Sequence, residues 1–326
     1  MGFAVFALCA VLLLLFVSGA YTFTVACVRR KELPWLVEEE IEKTPMAKYY
    51  SYIAKSDQWL KENRAQDVYI TSDDGLRLHG LWVKTDDAKG TVILAHGYRS
   101  TYLLDLSAAL PFYHGLGLNI LIPEQRAHGK SEGRFITFGV KESADMLRWI
   151  EYHNTTYGEI PVLLVGVSMG ASSMLYLADK DLPTNVRGII ADCGFTSPKE
   201  IISEVFRRVI HLPAIPTIWI ADLFARMFAG FSLYEKDTRK ILPRSRLPVL
   251  LVHGAEDGFV PCNMSQDGFA ACCEPKHLLI VEGADHGVSF LKDTNSYTKA
   301  VKSFVDKYFI QDGEIYYEHD SREEAE

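Results

Sequence analysis

The fold is decided by residues 162–178, VLLVGVSMGASSMLYLA. Five of the first six residues are Val or Leu, without polar alternation, which is typical of a strand buried on both faces of a sheet. From Ala171 onward the residues are small or apolar and favour a helix. Gly166 and Gly170 flank the junction, where backbone segments approach too closely for side chains. A buried strand that turns sharply into a helix indicates a parallel α/β sheet.

The rest of the chain repeats this alternation of strand and helix. The buried-strand pattern recurs in TVILA (91–95), NILIP (119–123), VRGIIA (186–191), PVLLVH (248–253) and HLLIVEG (277–283). Before them, VYITS (68–72) and LRLHGLWVK (76–84) flank a turn signal at residues 73–75, which predicts an antiparallel hairpin. We therefore predict a mostly parallel, doubly wound sheet with an antiparallel N-terminal hairpin. A ligand site is expected at the carboxyl ends of its strands.

The N-terminal segment predicts a membrane anchor over residues 1–28. No residue from Met1 to Val28 is charged, and the segment is long enough to cross a bilayer. A cleaved signal peptide is the alternative, since Ser18 and Ala20 offer a weak cleavage site, but the basic cluster follows the apolar run instead of preceding it. The positive-inside rule then assigns residues 29–31, Arg-Arg-Lys, and the catalytic domain to the cytoplasm. The cysteines beyond the anchor, two of them adjacent, are typical of reduced thiols.

Beyond the anchor the sequence predicts three further parts. Residues 29–66 are polar and helical, with prolines as breaks, and form a connector. Residues 67–310 form the α/β domain, and residues 311–326 form an acidic tail. The tail holds seven carboxylates against one arginine, so most of the net charge of −8 lies there. The remainder of the chain is close to neutral and predicts no nucleic-acid partner. The sequence does not indicate an oligomeric state.

A long insertion lies between two of the predicted strands. Residues 193–247 number 55, where a single crossover helix would suffice, so we predict a cap of at least two helices over about 194–247. Ser197 caps the first helix and Pro216 opens the second. We expect the apolar side chains mainly to dock the cap on the domain, and some to line an acyl or aryl pocket. These side chains are Ile201, Phe206, Ile218, Trp219, Phe224, Met227 and Phe228.

Three residues at predicted strand ends suit nucleophilic catalysis. Ser168 lies at the centre of Gly-x-Ser-x-Gly between a strand and a helix, the arrangement of a nucleophile elbow. Asp257 and His286 follow the last two strands in the chain order serine, acid, histidine, and supply an orienting acid and a general base. Asp192, which closes an earlier strand, is an alternative acid. We expect the backbone N–H groups of Tyr98 and Met169 to form an oxyanion hole.

Residues from about 68 to 310 resemble the α/β-hydrolase superfamily. The motifs that carry the resemblance are His96-Gly97-Tyr98, Arg126 to Gly133, Gly166 to Gly170, His253-Gly254 with Asp257, and Asp285-His286-Gly287. The similarity is greatest to bacterial cinnamoyl-esterase-like and serine-aminopeptidase-like members, and implies an α/β-hydrolase fold and a serine hydrolase. In that family residues 126–133 form a structural loop. Gln125 and Ala127 depart from its commoner pattern.

The sequence thus predicts a membrane-anchored serine hydrolase of small-molecule carboxylic esters that acts through an acyl-enzyme intermediate. Thioesterase, lipid-ester hydrolase and aminopeptidase-like activities use the same residues and remain alternatives. A non-catalytic membrane scaffold is a further alternative, which the presence of all three catalytic residue types disfavours. The metal-binding and dinucleotide-binding motifs are missing from the sequence, so we expect no cofactor and no metal.

Overall fold

The computed structural model describes residues 2–30, 50–211 and 214–309. Most of the predicted connector, at residues 31–49, and the predicted acidic tail lie outside the described residues. The first half contains α1 (Gly2–Cys27), α2 (Tyr50–Glu62), β1 (Gln66–Thr71), β2 (Arg77–Val83), β3 (Gly90–Ala95), α3 (Tyr102–Asp105), α4 (Leu110–Gly115), β4 (Leu118–Pro123), α5 (Val140–Tyr157) and β5 (Val162–Val167). The second half contains α6 (Met169–Leu175), β6 (Val186–Asp192), α7 (Pro198–Ile210), α8 (Thr217–Phe224), α9 (Thr238–Ile241), β7 (Val249–Gly254), α10 (Asn263–Ala271), β8 (Lys276–Val281), α11 (Ser289–Lys292) and α12 (Thr294–Tyr308).

The strands form one eight-stranded sheet within the described residues, in the order β1-β2-β4-β3-β5-β6-β7-β8. Strands β1 and β2 pair antiparallel, as do β2 and β4, and every other pairing is parallel. All residues of β3, β4, β5 and β7 are buried, which explains their uninterrupted apolar sequences. The predicted fold class, including the antiparallel hairpin, is confirmed.

Two hydrophobic cores cover the two faces of the sheet, and a third lies above its carboxyl edge. One face packs against α4 and α12 through residues such as Leu110 and Phe304. The other packs against α5 and α6 around Trp149. The third core joins α1, the insertion after β6 and the loops at the strand ends, with Phe23, Phe195 and others at its centre. The carboxyl edge of the sheet is therefore covered by apolar side chains.

The insertion after β6 contains α7 and α8, and α8 continues into a π-helical turn at Ala225–Ala229. The hydroxyl of Ser197 accepts the backbone N–H of Glu200 and caps α7 as its sequence predicts. The apolar sequence of α8 is explained by its neighbour, because α8 packs along the second half of α1. Gly19 permits this close approach, since a Cβ at that position would overlap the side chain of Ile220.

The residues at the end of α1 contact the α/β domain directly. Val28 forms an antiparallel bridge with Phe135. The N–H of Ile136 donates to the carbonyl of Cys27 over 2.7 Å, and the N–H of Arg29 donates to the carbonyl of Arg134 over 2.9 Å. The end of α1 is thus held by backbone hydrogen bonds as well as by side-chain packing.

Candidate active site

Ser168 occupies the turn between β5 and α6. Its backbone has φ 55° and ψ −118°, a conformation that is strained for a residue with a Cβ. The two flanking glycines permit the turn: a Cβ on Gly166 would overlap the backbone of Gly170, and a Cβ on Gly170 would overlap the carbonyl of Ala95. The Ser168 side chain is therefore presented at the carboxyl end of the sheet, directly before the first turn of α6.

His286 and Asp257 lie in the loops after β8 and β7. The Nε2 atom of His286 is 2.9 Å from the Oγ of Ser168, and its Nδ1 atom is 2.7 Å from the Oδ2 of Asp257. The structure therefore brings the three predicted residues together in one hydrogen-bonded row. In the tautomer that fits this row, Nδ1 carries the proton donated to Asp257 and Nε2 accepts the proton of the serine.

The surroundings of Asp257 favour its ionised form. Burial by itself raises the pKa of this carboxyl, but hydrogen bonds from His253 and His286 oppose that effect. The backbone N–H groups of Phe259 and Val260 also donate to its Oδ1, over 2.8 and 2.7 Å. Together these donors hold the pKa of Asp257 well below its usual range. A carboxylate that remains ionised can stabilise a protonated imidazole beside it.

Asp192, the alternative acid, lies elsewhere. Its side chain is buried, and its Oδ1 accepts a hydrogen bond from the hydroxyl of Ser289 over 3.0 Å. Burial raises the pKa of Asp192 to about 6, although the Ser289 hydrogen bond opposes the increase. Its backbone carbonyl accepts the N–H of Ser168. Asp192 thus supports the turn behind the serine, while Asp257 is the acid bonded to His286.

His286 is positioned by its own loop as well as by Asp257. The Oδ1 of Asp285 accepts the backbone N–H of His286 over 2.7 Å and that of Gly258 over 2.9 Å, which ties the two loops together. Burial lowers the pKa of His286, but the hydrogen bond and charge of Asp257 more than offset this effect and raise it above the ordinary histidine value. The ring of Phe259 packs edge-on against the imidazole.

The predicted oxyanion donors lie on the loop after β3 and at the start of α6, directly after Ser168. Met169 begins α6, so its N–H has no partner within the helix. On the loop after β3, the N–H of Gly97 donates to Asp105 over 2.6 Å and that of Arg99 donates to His128 over 2.9 Å. Within the described part of the chain, the N–H of Tyr98 between them donates to no other backbone or side-chain acceptor. The loop is therefore held on both sides of this one N–H.

His128 supports that loop as a neutral imidazole. Burial, together with the nearby His96, lowers the pKa of His128 to about 3. Its Nδ1 lies 2.9 Å from the carbonyl of Arg126, which leaves Nε2 to accept the N–H of Arg99. The buried guanidinium of Arg126 in turn bonds Asp145 through two nitrogens, at 2.6 and 2.7 Å. The loop that begins at Arg126 thus has a structural role in holding the loop after β3.

Sequence reasoning missed Asp105 and Asp285, which hold the two loops of the site. Asp105 ends the short helix α3 and Asp285 lies in a loop, and for an isolated carboxylate a solvated side chain is the ordinary expectation. The position of Asp285 directly before the histidine was the available signal. Asp105 follows its partner Gly97 by eight residues and gave no comparable signal.

One group of side chains within the described residues has atoms close enough to bind a metal. The sulfur of Cys193 and the ligand atoms of Asp257 and His286 lie within 4.8 Å of one another. A metal-binding cysteine must be a thiolate, but burial and the charge of Asp192 raise the pKa of Cys193 well above its usual value. Both imidazole nitrogens of His286 are already bonded, Nδ1 to Asp257 and Nε2 to Ser168. These residues therefore suit a hydrogen-bonded row better than a metal centre.

Sequence comparison identifies the family. Residues 92–295 match the Alpha/beta hydrolase family, which is more than half of the chain. The chain belongs to this family. The match begins in β3 and ends in α12, so it includes the loops that carry Ser168, Asp257 and His286.

Relatives and solved structures agree with this assignment. The hydrolase is 29% identical to the uncharacterized protein YqkD of Bacillus subtilis over 73% of this chain and 78% of that protein. It is 25% identical to the uncharacterized protein YfhR of Escherichia coli K12 over 68% and 73% of the two chains. The Pyrococcus furiosus esterase Pf2001 has the same fold, with a TM-score of 0.62 and 22% identity over 76% of this chain and 95% of that chain. So does Est1E of Butyrivibrio proteoclasticus, solved with ferulic acid, with a TM-score of 0.58 and 20% identity over 73% and 97%. Family and fold together support a hydrolytic enzyme.

A cavity of about 530 Å³ adjoins Ser168 in this hydrolase. Helix α7 of the cap contributes four apolar side chains to its wall, and α1 contributes five residues of its second half. The α7 residues are Ile201, Ile202, Val205 and Phe206, and the α1 residues are Ser18, Tyr21, Thr22, Val25 and Ala26. The sequence predicted a cap-lined pocket, but it did not predict that the N-terminal helix forms one wall.

The predicted cap residues divide into three groups. Ile201 and Phe206 line the cavity. Ile218 is buried in the third core, and Phe224 packs against rings of α1, including Phe23 at a centroid distance of 6.0 Å. Trp219, Met227 and Phe228 are more than half exposed. Trp219 is not among the described residues that line the cavity.

Tyr98 lies at the junction of cavity and helix. Its hydroxyl donates to the carbonyl of Ala26 over 2.8 Å, and its ring stacks on Phe138. The side chain is thus fixed at the cavity wall by the end of α1. Its neighbour Arg99 donates to the carbonyls of Val25 and Val28, over 2.6 and 2.9 Å.

Proposed function

We propose that this protein is a serine hydrolase that cleaves carboxylic esters through an acyl-enzyme intermediate. The observation that carries the proposal is the continuous row from Ser168 through His286 to Asp257, with contacts of 2.9 and 2.7 Å. The neutral imidazole removes the serine proton as Oγ attacks the ester carbonyl. The N–H groups of Tyr98 and Met169 stabilise the negative oxygen of the tetrahedral intermediate.

The same residues complete the reaction. The protonated His286 gives its proton to the leaving alcohol, and the acyl group remains bonded to Ser168. A water molecule then transfers a proton to His286 and attacks the acyl carbonyl, which releases the acid and regenerates the serine. Asp257 stabilises the imidazolium during both steps, and the surroundings that keep its pKa low support this role.

An ester is favoured over an N-terminal peptide by the cavity wall. Recognition of a free amino terminus needs a carboxylate or another acceptor of its charge. None of the described residues that line the cavity is acidic, and its charged members are Arg30 and Arg99. The mainly apolar wall suits an acyl chain or an aryl group.

We assign α1 a second role as a retained membrane anchor. It is 26 residues long, and an 18-residue window within it has a mean hydropathy of 2.7, which is sufficient to cross a bilayer. A signal sequence meets the same criteria. The hydrogen bonds between the end of α1 and residues 98–99 and 134–136 support retention, because cleavage would break them. The basic residues at 29–31 favour a cytoplasmic catalytic domain.

The test is labelling with a fluorophosphonate, which reacts with activated serines, and hydrolysis of p-nitrophenyl butyrate by the full chain in detergent. Ser168→Ala should abolish labelling and lower kcat by about 10⁴ to 10⁶ with the fold retained. Ser203→Ala is a matched control, because the hydroxyl of Ser203 donates to the carbonyl of Lys199 on its own helix, α7. A Ser168→Ala enzyme that keeps a tenth of the activity would exclude the serine mechanism, and an unlabelled, inactive wild type would favour the scaffold.

A further inference from the structure

We infer that the substrate is an ester of a membrane lipid, which enters the cavity laterally from the bilayer between α1 and α7, the two helices that line it. This inference rests on the proposed ester hydrolysis and adds the class of substrate. It depends on where α1 lies relative to the cavity and on the apolar surface that continues from α1 onto the cap.

The first half of α1 projects away from the rest of the protein. Its apolar side chains are exposed, among them Phe3, Val5, Phe6, Leu8, Val11, Leu12, Leu13 and Leu14. Side chains of this kind are stable in hydrocarbon, and a continuous exposed set of them is unfavourable in water. The second half packs on α8, where Ser18 lies 3.3 Å from Thr217 and the ring of Phe16 lies 5.3 Å from that of Phe224.

The cap continues this apolar surface beside α1. Ile215, Trp219, Leu223, Met227 and Phe228 are each between 51% and 66% exposed. Trp219, Leu223 and Met227 are spaced by four residues, so they lie on one side of α8 and its π-helical turn. A polar boundary follows, where Arg226 bonds Asp222 and Ser232. Aromatic and arginine side chains near an apolar face are typical of the membrane interface.

The length of α1 fixes how deep this surface lies. A hydrocarbon core of about 30 Å takes about 20 helical residues, which from Phe3 extends to about Thr22. The α1 residues that contact α8, beginning at Phe16, therefore occupy the last 10 Å or so of the core. The exposed face of α8 lies beside them, so it would be immersed in the adjacent leaflet.

The cavity lies at the same level. Ser18, Tyr21 and Thr22 belong to its wall and also to the part of α1 that the bilayer would surround. Ser168 lines the same cavity. An acyl chain in the leaflet could therefore move along α1 to the nucleophile without crossing water. Keeping the chain in apolar surroundings avoids the unfavourable hydration of each CH₂ group.

The first experiment compares a lipid ester with a soluble ester. The full chain is reconstituted in vesicles of ether-linked phosphatidylcholine, which contains no ester bonds, doped with dioleoylglycerol or dioleoylphosphatidylglycerol. Release of oleate is measured beside hydrolysis of p-nitrophenyl butyrate. Leu223→Glu/Met227→Glu adds two carboxylates to the exposed face, which are costly to place in hydrocarbon. We expect oleate release to fall at least tenfold and butyrate hydrolysis to stay within twofold.

Tyr69→Glu is the matched control, because it places a carboxylate at a partly exposed aromatic position on β1, outside the cap. It should leave both activities unchanged. If the wild type cleaves the butyrate ester but neither lipid, the lipid inference is wrong and the proposed function stands. If it cleaves neither class of ester and is not labelled by fluorophosphonate, the proposed function itself fails. An equal loss of both activities in the double variant would also overturn the inference.

The second experiment locates the cap without measuring activity. Brominated phosphatidylcholine quenches tryptophans that lie in the bilayer, and Trp219 is a native probe on the exposed face. We expect the quenching of the wild type to decrease in Trp219→Phe and to be unchanged in Trp59→Phe, since Trp59 packs against the domain instead. Quenching that does not change in Trp219→Phe would place this face in water or against a second copy, and would overturn lateral entry.

Discussion

The two sides of the active-site cavity are built from opposite kinds of interaction. On the polar side, Ser168, His286 and Asp257 bond one another at 2.7 and 2.9 Å. The loop after β3 is held by the N–H groups on either side of Tyr98, which bond at 2.6 and 2.9 Å. The apolar side consists of the cap and α1 residues that line the cavity, most of which have apolar side chains. Hydrogen bonds depend on individual atoms, whereas apolar contact scales with area. The polar side should therefore determine the reaction, and the apolar side should determine which esters react.

The strongest test of the polar side exchanges its acid. Asp257→Asn should lower kcat by about 10⁴, because an amide facing Nδ1 favours the tautomer that presents an N–H to Ser168. Asp192→Asn should leave kcat within about tenfold, since Asp192 bonds Ser289 and does not bond the imidazole. Both rates are measured with p-nitrophenyl butyrate. The opposite ranking would assign the catalytic acid to Asp192.

The pH dependence of kcat/KM tests His286 on the same polar side, without a substitution. Only the neutral imidazole can accept the serine proton, so kcat/KM should rise about tenfold per pH unit below the pKa of His286 and level off above it. Because Asp257 raises that pKa, the midpoint should lie above the ordinary value of about 6.5. If kcat/KM did not change between about pH 5 and 9, a range that includes the ordinary histidine pKa, the role of His286 would be contradicted.

The apolar side should respond gradually. Each buried methylene added to the acyl chain should raise kcat/KM by up to about fourfold, which corresponds to about 0.8 kcal/mol, until the cavity is filled. Phe206→Ala should flatten this chain-length series, since Phe206 lines the cavity. Trp219→Ala should preserve the series for soluble esters in detergent. Equal effects of the two substitutions would remove the distinction between the cavity wall and the exposed face of α8.

The sheet could be predicted because its signals are local. All eight strands lie within two residues of their predicted ends. A buried strand needs an uninterrupted apolar sequence, and the turn at Ser168 needs glycine at two fixed positions, so both requirements are visible in a short window. The serine, acid and histidine were placed by the same reasoning, because strand ends meet at one edge of a parallel sheet.

The apolar side could not be predicted in the same way. Helix α8 has apolar residues on all of its faces, so their spacing does not reveal that Trp219 faces outward and that Ile218 faces the third core. For α1, length and hydropathy indicate a span but give no information about a face that lines a cavity. These arrangements depend on how two apolar helices pack against each other, and sequence periodicity carries that information only when polar residues mark one face.

The hydrogen bonds at the end of α1 affect how this protein should be produced. Tyr98 and Arg99, on the loop that presents the proposed oxyanion donor, donate to carbonyls at and just after the end of that helix. A soluble fragment that begins after residue 30 would remove those acceptors and would open the cavity along one whole side. Such a fragment could fold around its intact sheet and still report misleading kinetics. Purification of the whole chain in detergent micelles or lipid nanodiscs would keep this helix in the wall of the cavity beside Ser168.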